Sequence, residues 1–148
     1  MALQVIEVTR TSGTVNEPAW LAAAEPVHRQ LRPQLPADYI ATMLNIFSQG
    51  GRMVVATEAG VTVGVAVFRI YDNTFVGRHL YVDDLVTSEA SRSHGVGHAL
   101  MGWLEEHARL HGARELKLDS GVQRNRAHRF YFREGMQISS YHFSKLVK

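Results

Sequence analysis

The 148 residues are 45% hydrophobic and 20% charged, ordinary values for one globular domain that exclude a disordered or collagen-like chain. With no cysteine, disulfides, thiolate metal sites and a cysteine nucleophile are ruled out, in keeping with a reducing compartment. A net charge of +2 is mild for a nucleic-acid surface. No stretch approaches the ~18 uninterrupted apolar residues of a membrane helix, and Glu7 falls where a signal peptide would run apolar, so the cytosol is the expected location.

In chain order, Leu3 to Val8 alternates and predicts a first strand. Asn16 offers a helix cap ahead of Pro18, and the helix through Trp20, Leu21 and Ala24 is expected to kink or divide at Pro26. Pro33 and Pro36 bracket a connection. Ile40, Met43, Leu44 and Phe47 then recur at helical spacing until Gly50-Gly51 stops them. Arg52–Thr57 and Thr62–Ile70 read as a hairpin about Glu58-Ala59-Gly60, followed by a long strand from Arg78 to Thr87. A helix beginning near Gly95 puts Val96, Leu100, Trp103, Leu104 and Ala108 on one face and ends at Gly112. Glu115–Asp119 reads as a short strand, Ala127–Arg133 as a short helix closed by Gly135, and Gln137–Val147 as a last strand. One domain over residues 1–148, an α/β fold with a mixed sheet and helices on both faces, accommodates this order.

The segment Arg92-Ser93-His94-Gly95-Val96-Gly97-His98 carries the most chemistry. It follows a strand and opens an amphipathic helix. Two glycines let backbone N–H groups converge on a bound oxygen, the helix N-terminus adds partial positive charge, and Arg92 adds a fixed cation. Together these suit a pyrophosphate. The spacing is equally met by a tight turn without a ligand. A Walker loop lacks its Gly-Lys-Ser/Thr here, and a dinucleotide fingerprint lacks its third glycine, since position 100 is Leu100.

Arg92-x-x-Gly95-x-Gly97 after Asp83-Asp84-Leu85-Val86-Thr87 resembles the acetyl-coenzyme A loop of the GNAT superfamily of N-acetyltransferases. Ala127-x-x-x-Tyr131-x-x-x-Gly135 is similar to that family's late helix. The resemblance covers about Arg52 to Val147. It departs at Arg124, where the family often carries asparagine, with Asn125 one position later, and at Met136, where an aromatic is common. The resemblance implies acetyl-coenzyme A as co-substrate. Leu85, Val86 and Thr87 would lie along its pantetheine arm, the residues from Arg92 to His98 along its pyrophosphate, and Asn125 and Tyr131 in contact with it. A sheet of mostly antiparallel strands and a homodimer paired through the final strand are implied as well.

Acetyl transfer to an amine requires that the amine lose a proton, that the developing oxyanion meet a donor, and that the thiolate gain a proton. Tyr131 is the candidate acid for the thiolate, with core packing as its alternative role. Asp83 and Asp84 are the acidic pair. On a regular strand they point to opposite faces, and Asp83 shares parity with His79, Tyr81, Leu85 and Thr87. Asp83 is therefore the candidate base, directly or through water, although a bulge would reverse the parity. His79 and His142 are further candidates. The pairs His94/His98 and His107/His111 have helical spacing but no completing acid, so they read as surface residues and no metal is expected. Arg124, Arg126 and Arg129 suit either nucleotide phosphates or a solvated helix face. The acceptor is expected to be a small cationic amine such as a polyamine, an aminoglycoside or an amino-acid derivative. A non-catalytic coenzyme A-binding domain and an acetyltransferase acting on protein lysines or N-termini remain alternatives.

Overall fold

The valine-rich middle of the chain forms a sheet that takes helices of its own unit on both faces. In the computed structural model, which describes residues 2–148, the strands lie in chain order as β1 (Leu3–Glu7), β2 (Arg52–Glu58), β3 (Val61–Asn73), β4 (Gly77–Thr87) and β5 (Glu115–Leu118). Strands β1 to β4 are antiparallel, and β5 makes the sheet mixed. The helices are α1 (Pro18–Leu31), α2 (Tyr39–Ser48), α3 (Val96–Leu110) and α4 (Asn125–Arg133). A 3-10 turn at Glu89–Ser91 follows β4. The chain divides into two compact units, residues up to 117 and residues 118–148.

In the first unit, side chains alternate across β3 and so set the layers. Val65 and Val67 join Leu21, Val27, Met43 and Phe47 in the core beneath α1 and α2. Phe68 points the other way and meets Trp103 and His107 of α3 edge-on, at centroid separations of 5.9 and 5.4 Å. Full burial of each such side chain stabilises by about 1.5–3 kcal/mol. On α2 the buried residues are Tyr39, Met43 and Phe47, while Ile40 and Leu44 of the same helical pattern stay exposed. Asp38 caps this helix by accepting the Ala41 N–H at 3.0 Å.

Three local expectations are corrected. Glu17 occupies the cap position of α1 with no side-chain bond, and Asn16 instead accepts from Arg10 Nε at 2.7 Å. Helix α1 runs unbroken through Pro26. Pro26 and the residue one turn earlier, Ala22, both lie on the exposed side, so water can satisfy the freed carbonyl while Ala24, Val27 and His28 remain packed. Residues 137–147 form no strand. β propensity alone cannot hold a strand without a hydrogen-bonded neighbour, and the stretch stays exposed, Ile138 and Phe143 by 69% and 92%.

One irregularity matters for the site. Val67 pairs with Asp84, but Phe68 pairs with Val82. Asp83 is therefore the extra residue of a β-bulge.

Candidate active site

The bulge removes the opposition expected of the two aspartates. Val67, opposite Asp84, belongs to the core under α1 and α2, and the Asp84 carboxylate accordingly meets α1. Its Oδ2 lies 2.7 Å from His28 Nε2, and its Oδ1 accepts from Arg32 Nε at 2.8 Å. Asp83 turns to the same face, because its partner Arg69 is adjacent to Phe68 and so points away from α3. Arg69 donates from Nε and Nη2 to the two Asp83 oxygens at 2.8 and 2.9 Å. The Arg69 guanidinium also packs on the rings of Tyr71 and Tyr81, 5.1 and 5.3 Å from their centroids.

The two carboxylates thus differ in availability. Burial pushes the Asp84 carboxyl up, but the His28 hydrogen bond and charge and then Arg32 outweigh it and hold the group below its ordinary value. Both oxygens of each carboxylate are engaged, but the Asp84 side chain is only 14% exposed. Asp83 is 34% exposed, so it is the more accessible carboxylate. The four residues of β5 meet β4 near Arg78, where the Arg114 N–H donates to the Arg78 carbonyl at 2.9 Å. By length alone, β5 falls short of the last residues of β4, Asp83 to Thr87. Along its other edge Leu85, Val86 and Thr87 pair with Ala66, Val65 and Gly64.

The glycine loop takes up the strained geometry its composition allows. Gly95 caps α3 in the left-handed region at φ 81° without any side-chain hydrogen bond, and Ser93 also has a positive φ of 70°. The first helical bond of the loop is Ala99 N–H to the Gly95 carbonyl at 3.0 Å. The amides of Val96 and Gly97 precede it and have no helical acceptor. Val96 is buried and anchors the turn, while Arg92, Ser93, His94, Gly95 and His98 are exposed. A cradle of amides and one arginine, open to solvent, fits a pyrophosphate.

In the second unit, Tyr131 lies on α4, half-buried, with its ring 5.5 Å from that of Phe130. Burial raises the Tyr131 phenol, while the charge and hydrogen bond of Arg124 pull it back. Arg124 is thus the cation beside the Tyr131 hydroxyl. Asn125 opens α4, exposed, with its amide on the Gln123 carbonyl at 3.0 Å. Arg126 and Arg129 are exposed on the same helix.

The histidines separate by environment. His79 is buried to 1% exposure, with Nδ1 on the Gly77 carbonyl at 3.1 Å, and its ring packs against Tyr71. His142 is paired with Asp119 at 2.7 Å. His107 is half-buried: it stacks on Trp103 at 4.5 Å and meets His111 at 4.1 Å, centroid to centroid. Both His107 and His111 line an open cavity of about 350 Å³ with Arg52, Ile70 and Tyr71. That cavity sits at the far end of β3 from Gly64 and the glycine loop. Sequence reasoning missed His28, Arg32 and Arg69, whose roles depend on contacts 14 to 56 positions away along the chain.

The profile described as acetyltransferase (GNAT) family matches residues 18–136. An uncharacterised N-acetyltransferase, YhdJ, of Bacillus subtilis is 38% identical, aligned over 55% of this chain and 68% of that one. The aminoalkylphosphonate N-acetyltransferase of Salmonella typhimurium is 35% identical, over 54% of this chain and half of that one. The fold is similar to that of AAC(6')-Iy in complex with a bisubstrate analogue, CoA-S-monomethyl-acetylneamine. Its TM-score is 0.83 at 16% identity, covering 100% of this chain and 99% of that one.

Proposed function

The chain belongs to the acetyltransferase (GNAT) family and is an acetyl-coenzyme A-dependent N-acetyltransferase, and we propose that its acceptor is a small primary amine that arrives as a cation. The observation that carries the proposal is the bulge at Asp83, which brings a carboxylate 34% exposed to the same face as Asp84 near the end of β4. An amine of pKa ~10 arrives protonated, and a carboxylate both attracts it and, directly or through one water, takes its proton. The aminoalkylphosphonate named for the Salmonella relative is also a small amine, which supports this class.

Acetyl-coenzyme A supplies the activated acetyl thioester. The amides of Val96 and Gly97, with Arg92, hold its pyrophosphate, flanked by Ser93, His94, Gly95 and His98. The β4 backbone at Leu85, Val86 and Thr87 receives the pantetheine arm and supplies a donor to the carbonyl oxygen. Tyr131 gives its phenolic proton to the departing sulfur. The raised Tyr131 phenol suits this role, since the group stays protonated at neutral pH. Asn125 is assigned a contact to the co-substrate. The amine attacks directly, without an acyl-enzyme.

The test is thiol release from acetyl-coenzyme A across a panel of small amines, with Asp83→Asn and Tyr131→Phe beside the wild type. Each variant should lose about 10²–10⁴-fold in turnover while binding coenzyme A as before. Undiminished turnover would remove that residue from the mechanism.

A homodimer is part of the same proposal. Ile138, Phe143, Leu146 and Val147 are 69–93% exposed, apolar surface that a second copy would cover. Light scattering should give twice the chain mass, falling to one chain in Phe143→Glu. A monomeric wild type would rule the dimer out.

A further inference from the structure

Helix α1 holds the end of β4 at two points and the turn after it at a third. His28 Nε2 meets Asp84 Oδ2 at 2.7 Å, Arg32 Nη2 donates to the Asp83 carbonyl at 3.1 Å, and Gln30 Oε1 accepts the Glu89 N–H at 2.9 Å. Arg32 also binds Asp84 Oδ1, so one guanidinium joins the Asp84 side chain to the backbone of the bulged residue. Behind this latch, Tyr39 of α2 places its hydroxyl 2.8 Å from His28 Nδ1. The connection leading into α2 is in turn held by Arg29, which donates to the carbonyls of Leu35 and Pro36 at 2.7 Å each.

The protons in the chain follow from chemistry. Burial, then the charges of Glu25 and Asp84, raise the Tyr39 phenol well above its ordinary value, so it keeps its proton and donates to His28 Nδ1. His28 Nε2 then serves as the donor to Asp84, 2.7 Å away. His28 and Tyr39 are 1% and 2% exposed, so neither can touch an acceptor. Stability alone does not call for such a network, because apolar replacements of similar volume are often neutral or better.

We infer that the Tyr39–His28–Asp84 chain is a positioning device for the acceptor side of the reaction. By fixing Asp84 and the Asp83 carbonyl, it sets where the Asp83 carboxylate stands. This rests on the reading of Asp83 as the group that receives the amine. A bulged residue has no ladder partner of its own, so the direction of the Asp83 carboxylate depends on Arg69, which binds it, and on the groups that hold its backbone and its neighbour Asp84. Displacement of ~1 Å at a reacting group can cost ~10²-fold in rate.

The test uses Tyr39→Phe, which removes one hydroxyl, and His28→Gln, which keeps a donor toward Asp84. Both are assayed for the two substrates separately, alone and combined with Asp83→Asn, with Tm recorded. In Tyr39→Phe, kcat/KM for the amine should fall about tenfold or more while KM for acetyl-coenzyme A stays within twofold. His28→Gln should recover part of the activity lost in His28→Leu. The penalty of Asp83→Asn should shrink in the Tyr39→Phe background, because a misplaced carboxylate has less to lose. Amine kcat/KM within twofold of wild type in Tyr39→Phe, with full dependence on Asp83, overturns this inference alone. Loss on both substrates in proportion to Tm overturns it too, as a purely structural role. Turnover that ignores Asp83→Asn overturns the Asp83 reading and the inference together.

Discussion

A Cβ at Gly64 would stand 2.6 Å from Val96 Cγ1 and 3.0 Å from Leu100 Cδ1, so these two side chains of α3 pack directly against the β3 backbone. Val96 has a stiff branched side chain and is itself the buried anchor of the glycine loop. Gly64→Ala should therefore push the loop, not merely crowd the core. Overpacking of this kind costs about 1–3 kcal/mol. Calorimetric titration with coenzyme A should show weaker binding than wild type, together with a lower Tm. Unchanged affinity at a lowered Tm would mean that the loop moves independently of β3.

The Tyr131 phenol is raised by burial, against the opposing charge and hydrogen bond of Arg124. A cation beside a phenolate favours ionisation. Removing it in Arg124→Met should therefore raise the phenol further, and the alkaline fall in kcat should move to higher pH. The pH profile of kcat between 8 and 11, wild type against variant, measures this directly. A limb that moves to lower pH, or stays in place, would show that another group sets it.

The strands and helices were legible because their signals are local. Valine-rich runs gave β2, β3 and β4 to within a few residues, and Gly112 and Gly135, at φ 73° and 89°, mark the ends of α3 and α4. The glycine loop was legible for the same reason. The direction of Asp83 was not, because parity along β4 assumes a regular ladder and the register shifts opposite Val67 and Phe68. The roles of His28 and Arg32 were hidden more deeply, since a histidine on an amphipathic helix reads the same whether it fills space or grips a carboxylate 56 positions away. The stretch 137–147 alternates enough to suggest a strand, yet local pattern cannot supply a hydrogen-bonded neighbour.

Asp83 and Arg69 form a bidentate pair, with the carboxylate and guanidinium side chains 34% and 38% exposed. Pairs this open contribute about 0–1 kcal/mol to stability, so Arg69→Gln should leave Tm nearly unchanged. It should also free the Asp83 charge for an incoming ammonium. KM for a cationic amine is then expected to fall by up to about fivefold at low salt, with the difference shrinking as ionic strength rises. A KM that rises instead would mean that the guanidinium, not the carboxylate, contacts the acceptor.

His107 is held at about 4, chiefly by burial and then by the charge of His111, against an ordinary 6.5. The sign of its effect on stability follows. The unfolded chain takes up a proton near pH 6.5, whereas the folded chain refuses it until about pH 4. Between these values the unfolded state binds more protons, so the contribution of the neutral ring is complete above pH 6.5 and drains away toward pH 4. Because the ring stacks flat on Trp103, at an interplanar angle of 16°, His107→Phe should keep the contact and discard the proton. Urea midpoints at pH 7.5, 5.5 and 4.5 should then show the wild type losing stability more steeply than the variant, with the gap widening as pH falls. Parallel slopes would assign the acid sensitivity of the fold to other groups and leave His107 as a neutral packing residue throughout.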